Sequence, residues 1–193
     1  MRRHTSENSK KFAKGYPAAE DFERLQEELY GVSDRASAVM LSSFTEAALT
    51  EYIQGKIRPN FSNSDMKLLF DFQGTLGTFG GKIIMGYALN WFGRETRHDL
   101  DLIRLLRNEF AHSRKSFRFT DHPVASVCQQ LKSPDWPNAM ILKGPLDKVP
   151  NEKLAEVSDK SHPRTRYGMA CYTLAYGLMI NRRGAIPDTY ELR

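Results

Sequence analysis

Two cysteines, Cys128 and Cys171, are the whole thiol content of this 193-residue sequence. They lie far apart with no CxxC pattern, which disfavours both a disulfide framework and a zinc site. No cluster of carboxylates and histidines has metal-ligand spacing, so neither a metal nor a cofactor is expected. The longest strongly apolar stretch, GMACYTLAYGLMI near the C-terminus, falls short of the roughly 18 to 20 residues that cross a bilayer. No membrane span is expected. Nor does any segment alternate strictly between polar and apolar residues between hairpin turns, and that removes the signature of a sheet. Solenoid repeats and long heptad patterns are missing as well. With no secretory leader and with unpaired thiols, the expected location is the cytoplasm.

Charge is what the sequence has, and it is unevenly placed. There are 28 Lys and Arg against 23 Asp and Glu. Residues 1–18 hold five of those cations, Arg2, Arg3, Lys10, Lys11 and Lys14, against the single acid Glu7. Residues 19–193 therefore carry 23 cations and 22 acids, a net of +1. The leader has few apolar anchors and reads as a disordered basic arm, able to touch a polyanion through counterion release. Residues 19–193 read as one helical domain.

Within that domain, Phe22, Leu25 and Leu29 are spaced three and four apart in EDFERLQEELY, which predicts a helix over 20–30 ended by Gly31. Ser33 precedes a second helical run from Asp34 to about Ile57, with Val39, Met40, Phe44, Ala47, Ala48 and Leu49 expected on its apolar side. Ser64 is placed to cap a short helix, DMKLLFDF. Thr78 is placed to cap FGGKIIMGYALNWF, with Gly93 as its C-terminal stop. Thr96 and Asp99 have capping-box spacing, so the next helix should start near Arg97 and run to about His112. Asp121 and Pro123 open another short helix. Four prolines, Pro134, Pro137, Pro145 and Pro150, interrupt the chain after it. A last helix should span about Pro163 to Arg183, with Tyr167, Cys171, Leu174 and Leu178 on one side. The expected fold is all-α, a single helical bundle of about six to eight helices.

Two motifs compete for chemistry. The stretch GTLGTFGGK fails the phosphate-loop rule, because Leu76 stands where the first glycine belongs and Ile83 follows Lys82. Its glycines read instead as a tight bend at Gly74 and Gly77 and as close helix approach at Gly80, Gly81 and Gly86. Ser42 and Ser43 have no evident triad partners.

RNEFAHS, residues 107–113, is more informative. On a wheel of 3.6 residues per turn, Leu102, Ile103, Leu106 and Phe110 form the buried stripe. Asp101, Arg104, Asn108 and His112 gather opposite, with Arg107 at the border. Asp101 and Arg104 can form a plain surface pair; a histidine, arginine and asparagine at one helix end are a candidate site. A histidine there can take a proton from a ribose 2′-hydroxyl or return one to a leaving oxygen, and an arginine can stabilise the developing phosphorane charge.

Two resemblances enter at these residues. Over residues 64–131 the LGTF turn, the KIIMGYAL helix, the DLDLIR helix, the RNxFAH ending and a following FxF segment with a Cys and a Leu resemble the mannitol operon repressor family. That resemblance implies an all-helical homodimer engaged in transcriptional repression through a partner protein or nucleic acid. It is a family without a recognisable DNA-reading helix-turn-helix, and none is found in this sequence. Separately, RNEFAH is similar to the Arg-x4-His signature of HEPN domains. This implies a metal-independent endoribonuclease of toxin or defence type, with Arg107 and His112 catalytic and Asn108 supportive. In a binding module, Asn108, Arg104 and Asp101 would contribute to holding an anionic ligand.

Overall fold

A computed structural model of the chain describes residues 24, 25, 28, 29, 31–57, 61–140 and 159–181. All regular structure among them is helical: α1 (Asp34–Lys56), α2 (Asn63–Phe70), α3 (Phe79–Ala88), α4 (Arg94–His112), α5 (His122–Gln129), a 3-10 turn (Ser133–Asp135) and α6 (Pro163–Ile180). The all-α expectation holds. The basic arm, most of the 20–30 helix and the segment holding Pro145 and Pro150 lie outside the described residues. Arg24, Leu25, Glu28 and Leu29 are helical, and the two leucines pack against the core.

α6 is the axis of the molecule. From Thr165 to Ala175 every residue is buried, so the helix is covered on all sides rather than along one stripe. The sequence pattern suggests one apolar side; the structure surrounds the helix instead with α1, α4, α5 and the 3-10 turn. α1 makes the most extensive contact. Its buried face is Ser37, Ala38, Leu41, Ser42, Thr45, Ala48, Leu49, Tyr52 and Ile53; of the expected side Ala48 and Leu49 are buried, but Val39, Met40 and Phe44 are half-buried and Ala47 is exposed. Small residues win because the helices lie close enough to bond across their surfaces. The Thr45 hydroxyl is 3.3 Å from the Cys171 carbonyl oxygen, and the Tyr167 hydroxyl donates to the Ala38 carbonyl at 3.1 Å. Burial pushes the Cys128 and Cys171 thiols up to about 12, which leaves both inert.

Local signals set several helix ends. Ser33 caps α1 through the Ala36 N–H, and Thr78 caps α3 through the Gly81 N–H at 3.0 Å. α2 is capped by Ser62 rather than Ser64, two residues earlier than the sequence suggests, through the Asp65 N–H. α3 stops at Ala88 instead of Phe92. Asn90 turns left-handed at φ 54°, the Trp91 N–H donates back to the Gly86 carbonyl, and Phe92 folds onto Gly86. A Cβ at Gly86 would sit 2.3 Å from the Phe92 ring, so only glycine fits there. Gly93 is consequently the N-cap of α4 and not the stop of α3.

α4 starts at Arg94, three residues before the capping-box reading. Thr96 and Asp99 are buried inside the helix. Asp99 caps a neighbour instead: its carboxylate accepts the Lys132 N–H at 3.0 Å and the Ser133 N–H at 2.7 Å, holding the turn after α5. The apolar stripe of α4 is Leu100, Ile103, Leu106 and Phe110, with Leu102 only half-buried. α4 does end at His112, as the sequence implies.

Candidate functional site

The C-terminal end of α4 is held by parts of the chain distant in sequence. Phe110 stacks on Phe119 with ring centroids 4.9 Å apart, and Phe119 on Tyr167 of α6 at 5.2 Å. Beyond their buried area, such aromatic pairs add about 0.5–1.5 kcal/mol each. This column anchors the helix end and the following loop to the core. From the start of α1, Arg35 donates to the Ser113 and Lys115 carbonyls, both at 2.9 Å. The neighbouring Asp34 accepts the Phe119 N–H at 2.8 Å and the Arg164 guanidinium at 2.9 Å. Arg164 also donates to the Leu29 and Val32 carbonyls. The loop after RNEFAHS is therefore a braced surface.

The five residues singled out by sequence fall into two groups on α4. Arg104 and Asp101 pair loosely at 3.6 Å, and Asp101 also faces Arg97 at 3.7 Å. Pairs this exposed are worth about 0–1 kcal/mol. Arg104 lies over Gly80 of α3, and Arg97 sits on the Tyr87 ring, so these two arginines cover the α3–α4 seam. Nearer the helix end, the Arg107 Nη1 donates to the Asn108 Oδ1 at 3.3 Å. His112 is exposed at the terminus and has no hydrogen bond to a described residue. The structure thus brings Arg107 and Asn108 together, and pairs Asp101 with Arg104 along the seam.

Reading one helix alone misses the charge that gathers around this end. Arg35, Arg107, Arg114, Lys115 and Arg118 form no ion pair with any described residue, and Glu109 is the one acid between positions 107 and 118. Asp34 and Asp121 accept the Phe119 and Arg118 N–H groups at the same end, so with Arg164 this end holds six cations against three acids, a net of +3 within a body of net +1. A cation at a helix C-terminus has a structural use, because it complements the dipole. One or two would satisfy that need. The run SRKSFR was a signal available in the sequence for Arg114, Lys115 and Arg118; Arg35, 78 positions from Ser113, had none.

Elsewhere, two cavities are lined by charged groups, most of them paired, although Glu51 Oε2 at the second has no partner among the described residues. A cavity of about 340 Å³ beside the turn after α5 is lined by Glu95, Lys132, Asp135, Trp136 and Arg166. There Lys132 and the Trp136 indole both reach Glu95, at 3.2 and 3.1 Å, and Arg166 binds Asp135 and the Cys128 carbonyl. The Arg166 guanidinium holds the Asp135 carboxyl below its ordinary value. A second cavity, about 440 Å³, lies between α1 and α3, where Lys82 pairs with Glu46 at 2.8 Å. Neither includes Arg107 or His112. Among the described residues, no group of three or more His, Cys, Asp or Glu is placed to hold a metal ion, and no helix is long and apolar enough to cross a membrane.

No protein-family model and no curated protein sequence matches the chain. Among solved structures it is similar to a chain of the X-ray structure of the MtlR–HPr complex from Escherichia coli, with a TM-score of 0.56 at 19% identity. The match covers 84% of this chain and 98% of that one. At this identity the likeness is one of fold alone.

Proposed function

We propose that this chain is a cytoplasmic regulatory protein, acting in transcriptional repression by docking an acidic macromolecular partner on the cationic end of α4. One observation carries the reading: Arg114, Lys115 and Arg118 on the loop after His112, Arg35 bonded to that loop and Arg107 near the end of α4 form no ion pair with any described residue, and the loop is braced from α1 and α6. Unpaired cations on a rigid frame raise the encounter rate of an anionic partner and cost little to order. The resemblance to the mannitol operon repressor family supports a regulator. The solved neighbour is part of a complex with HPr, and that favours a protein over a nucleic acid as the partner. Calorimetric titration of the chain with purified HPr, beside an Arg114→Glu, Lys115→Glu variant, tests the reading. Binding that weakens with salt, and at least about tenfold in the variant, supports it; binding that ignores the charge reversal overturns it.

A second reading has its own observation. Arg107 and Asn108 share a hydrogen bond on the last turns of the helix that ends in exposed His112, a grouping compatible with a HEPN-type endoribonuclease. Incubating labelled structured RNA with the protein in EDTA tests it. Cleavage leaving 2′,3′-cyclic phosphate ends, lost in an Arg107→Ala, His112→Ala variant, supports an enzyme. Intact RNA sinks it.

A further inference from the structure

The polar side of α1 carries a charged group that the described fold does not use. Ser43, Glu46, Ala47, Thr50, Glu51 and Gln54 recur at helical spacing and, with Lys82 of α3, line the cavity of about 440 Å³. Lys82 is only 7% exposed and is taken up by Glu46 at 2.8 Å. The Thr50 hydroxyl donates back to the Glu46 carbonyl at 2.7 Å, and its oxygen can still accept. Glu51 is different. It forms no ion pair with any described residue, and its Oε2 is closed to solvent without a donor among them. A carboxylate on an ordinary solvated helix face keeps both oxygens in water. This one gives up water at one oxygen and receives no hydrogen bond from the described residues in exchange. Burial accordingly raises the Glu51 carboxyl above its ordinary value.

We propose that this cavity binds a small polyhydroxylated primary amine, its ammonium held by Glu51 and its hydroxyls by Ser43, Thr50 and Gln54. Three observations define the class. The first is charge: two carboxylates against one ammonium leave the cavity a net of −1, and Lys82 already cancels Glu46. One cation is called for, and a second would meet the Lys82 ammonium. Next is polarity. Apart from Ala47 every lining residue is polar, so an apolar ligand would strip water from these groups without replacing its bonds, whereas hydroxyls replace them. Last is size, since the volume falls among the roughly 300–1,000 Å³ of small-molecule pockets. The final torsion of a glutamate is soft and nearly two-fold, so the orphaned oxygen can turn to meet an ammonium in the cavity. An ammonium–carboxylate hydrogen bond is among the stronger ones that a protein makes. This site shares no residue with the cationic end of α4, so either assignment can fail without the other.

Amide chemical shifts of the isotope-labelled full chain, titrated separately with glucosamine, glucose and glucuronate, test the proposal. The three share one hydroxylated ring and differ in charge. Saturable shifts with glucosamine, centred on residues 43–54 and Lys82 and with a Kd of about 1 mM, support it; so small and polar a ligand is held no tighter. Glucose should bind about tenfold more weakly, and glucuronate more weakly still. In a Glu51→Gln variant the preference for the amine should vanish, with glucosamine falling to the affinity of glucose. The thermal stability of that variant should be unchanged or slightly raised, because an unpaired carboxylate is removed. Absence of saturation with glucosamine, equal binding of the three sugars, or an amine preference that survives Glu51→Gln each overturn the proposal. So does a marked loss of stability in Glu51→Gln without ligand, which would make Glu51 part of the architecture.

Discussion

The two ends of α4 carry similar residues to opposite purposes. Toward the start, Thr96 and Asp99 are polar, buried and absorbed by neighbouring structure: Asp99, at 0% exposure, holds the Lys132 and Ser133 N–H groups. At the finish, Arg107, Asn108 and His112 stay in partial or full contact with water, beside cations that form no ion pair with any described residue. The difference teaches that a polar residue on a helix is assigned by its partners rather than its type. A carboxylate that receives three hydrogen bonds from a turn is architecture. Cations on and beside a braced loop, in no ion pair with any described residue, are a surface left to solvent.

The sharpest way to break this contrast is Asp99→Ala, which leaves a buried backbone donor at Ser133 and a part-buried one at Lys132 unsatisfied. A loss of about 3 kcal/mol is expected in thermal or urea unfolding, while Asp99→Asn, which keeps one acceptor oxygen, should lose less. A loss under about 1 kcal/mol would show that water replaces the carboxylate and that the two ends are not so different. Next comes Arg35→Ala, which removes two bonds to the Ser113 and Lys115 carbonyls. About 1 kcal/mol is expected, with faster amide exchange confined to the 113–119 loop. Smaller still is the stability effect of His112→Ala or of the Arg114→Glu, Lys115→Glu pair, within about 0.5 kcal/mol, since these side chains pack against nothing in the fold. A large loss at His112 would make it part of the architecture and remove it from the site.

The smallest effects are in pH dependence, where two acids run in opposite directions. Burial raises the Asp99 carboxyl above its ordinary value, although bonds from Ser133 and Lys132 pull it back. The folded state then holds that proton more tightly than the unfolded one, so this group's contribution falls as pH rises from the ordinary value of 3.8 through the raised one. Asp135 is held low, chiefly by the hydrogen bond from Arg166. Its contribution is present above 3.8 and is lost as pH falls through the lowered value. Unfolding curves of Asp99→Asn and Asp135→Asn over pH 2–6, on the order of the carboxylate range, should lose opposite slopes. Identical curves would refute both assignments.

Much of the architecture was legible in the order of residues. Thr78 caps the helix it was expected to cap, the second helical run begins after Ser33, α4 ends at His112, and the helical class follows from spacing. Each of these rests on groups within about four residues of one another, the reach of a helical hydrogen bond. The capping-box reading of Thr96 and Asp99 failed because the same spacing also places two side chains on a buried helix face. The buried side of α1 was only partly assigned, at Ala48 and Leu49, because close approach to α6 favours Ser42 and Thr45, which hydropathy places outside. The candidate site was half legible: RNEFAHS marked the helix end, but the braces from Asp34, Arg35 and Arg164 did not show.

By itself, then, the sequence determined that the described chain is helical, where α1, α3 and α6 begin and α4 ends, and that the α4 terminus is rich in donors. Those outcomes depend on short-range geometry, which any segment carries with it. Only the tertiary structure decided which polar groups are satisfied and which are left to solvent, because the deciding partners arrive from 33 positions away at Asp99 and 78 at Arg35. Burial and pairing are properties of what a side chain meets, and the meeting is made by packing around α6.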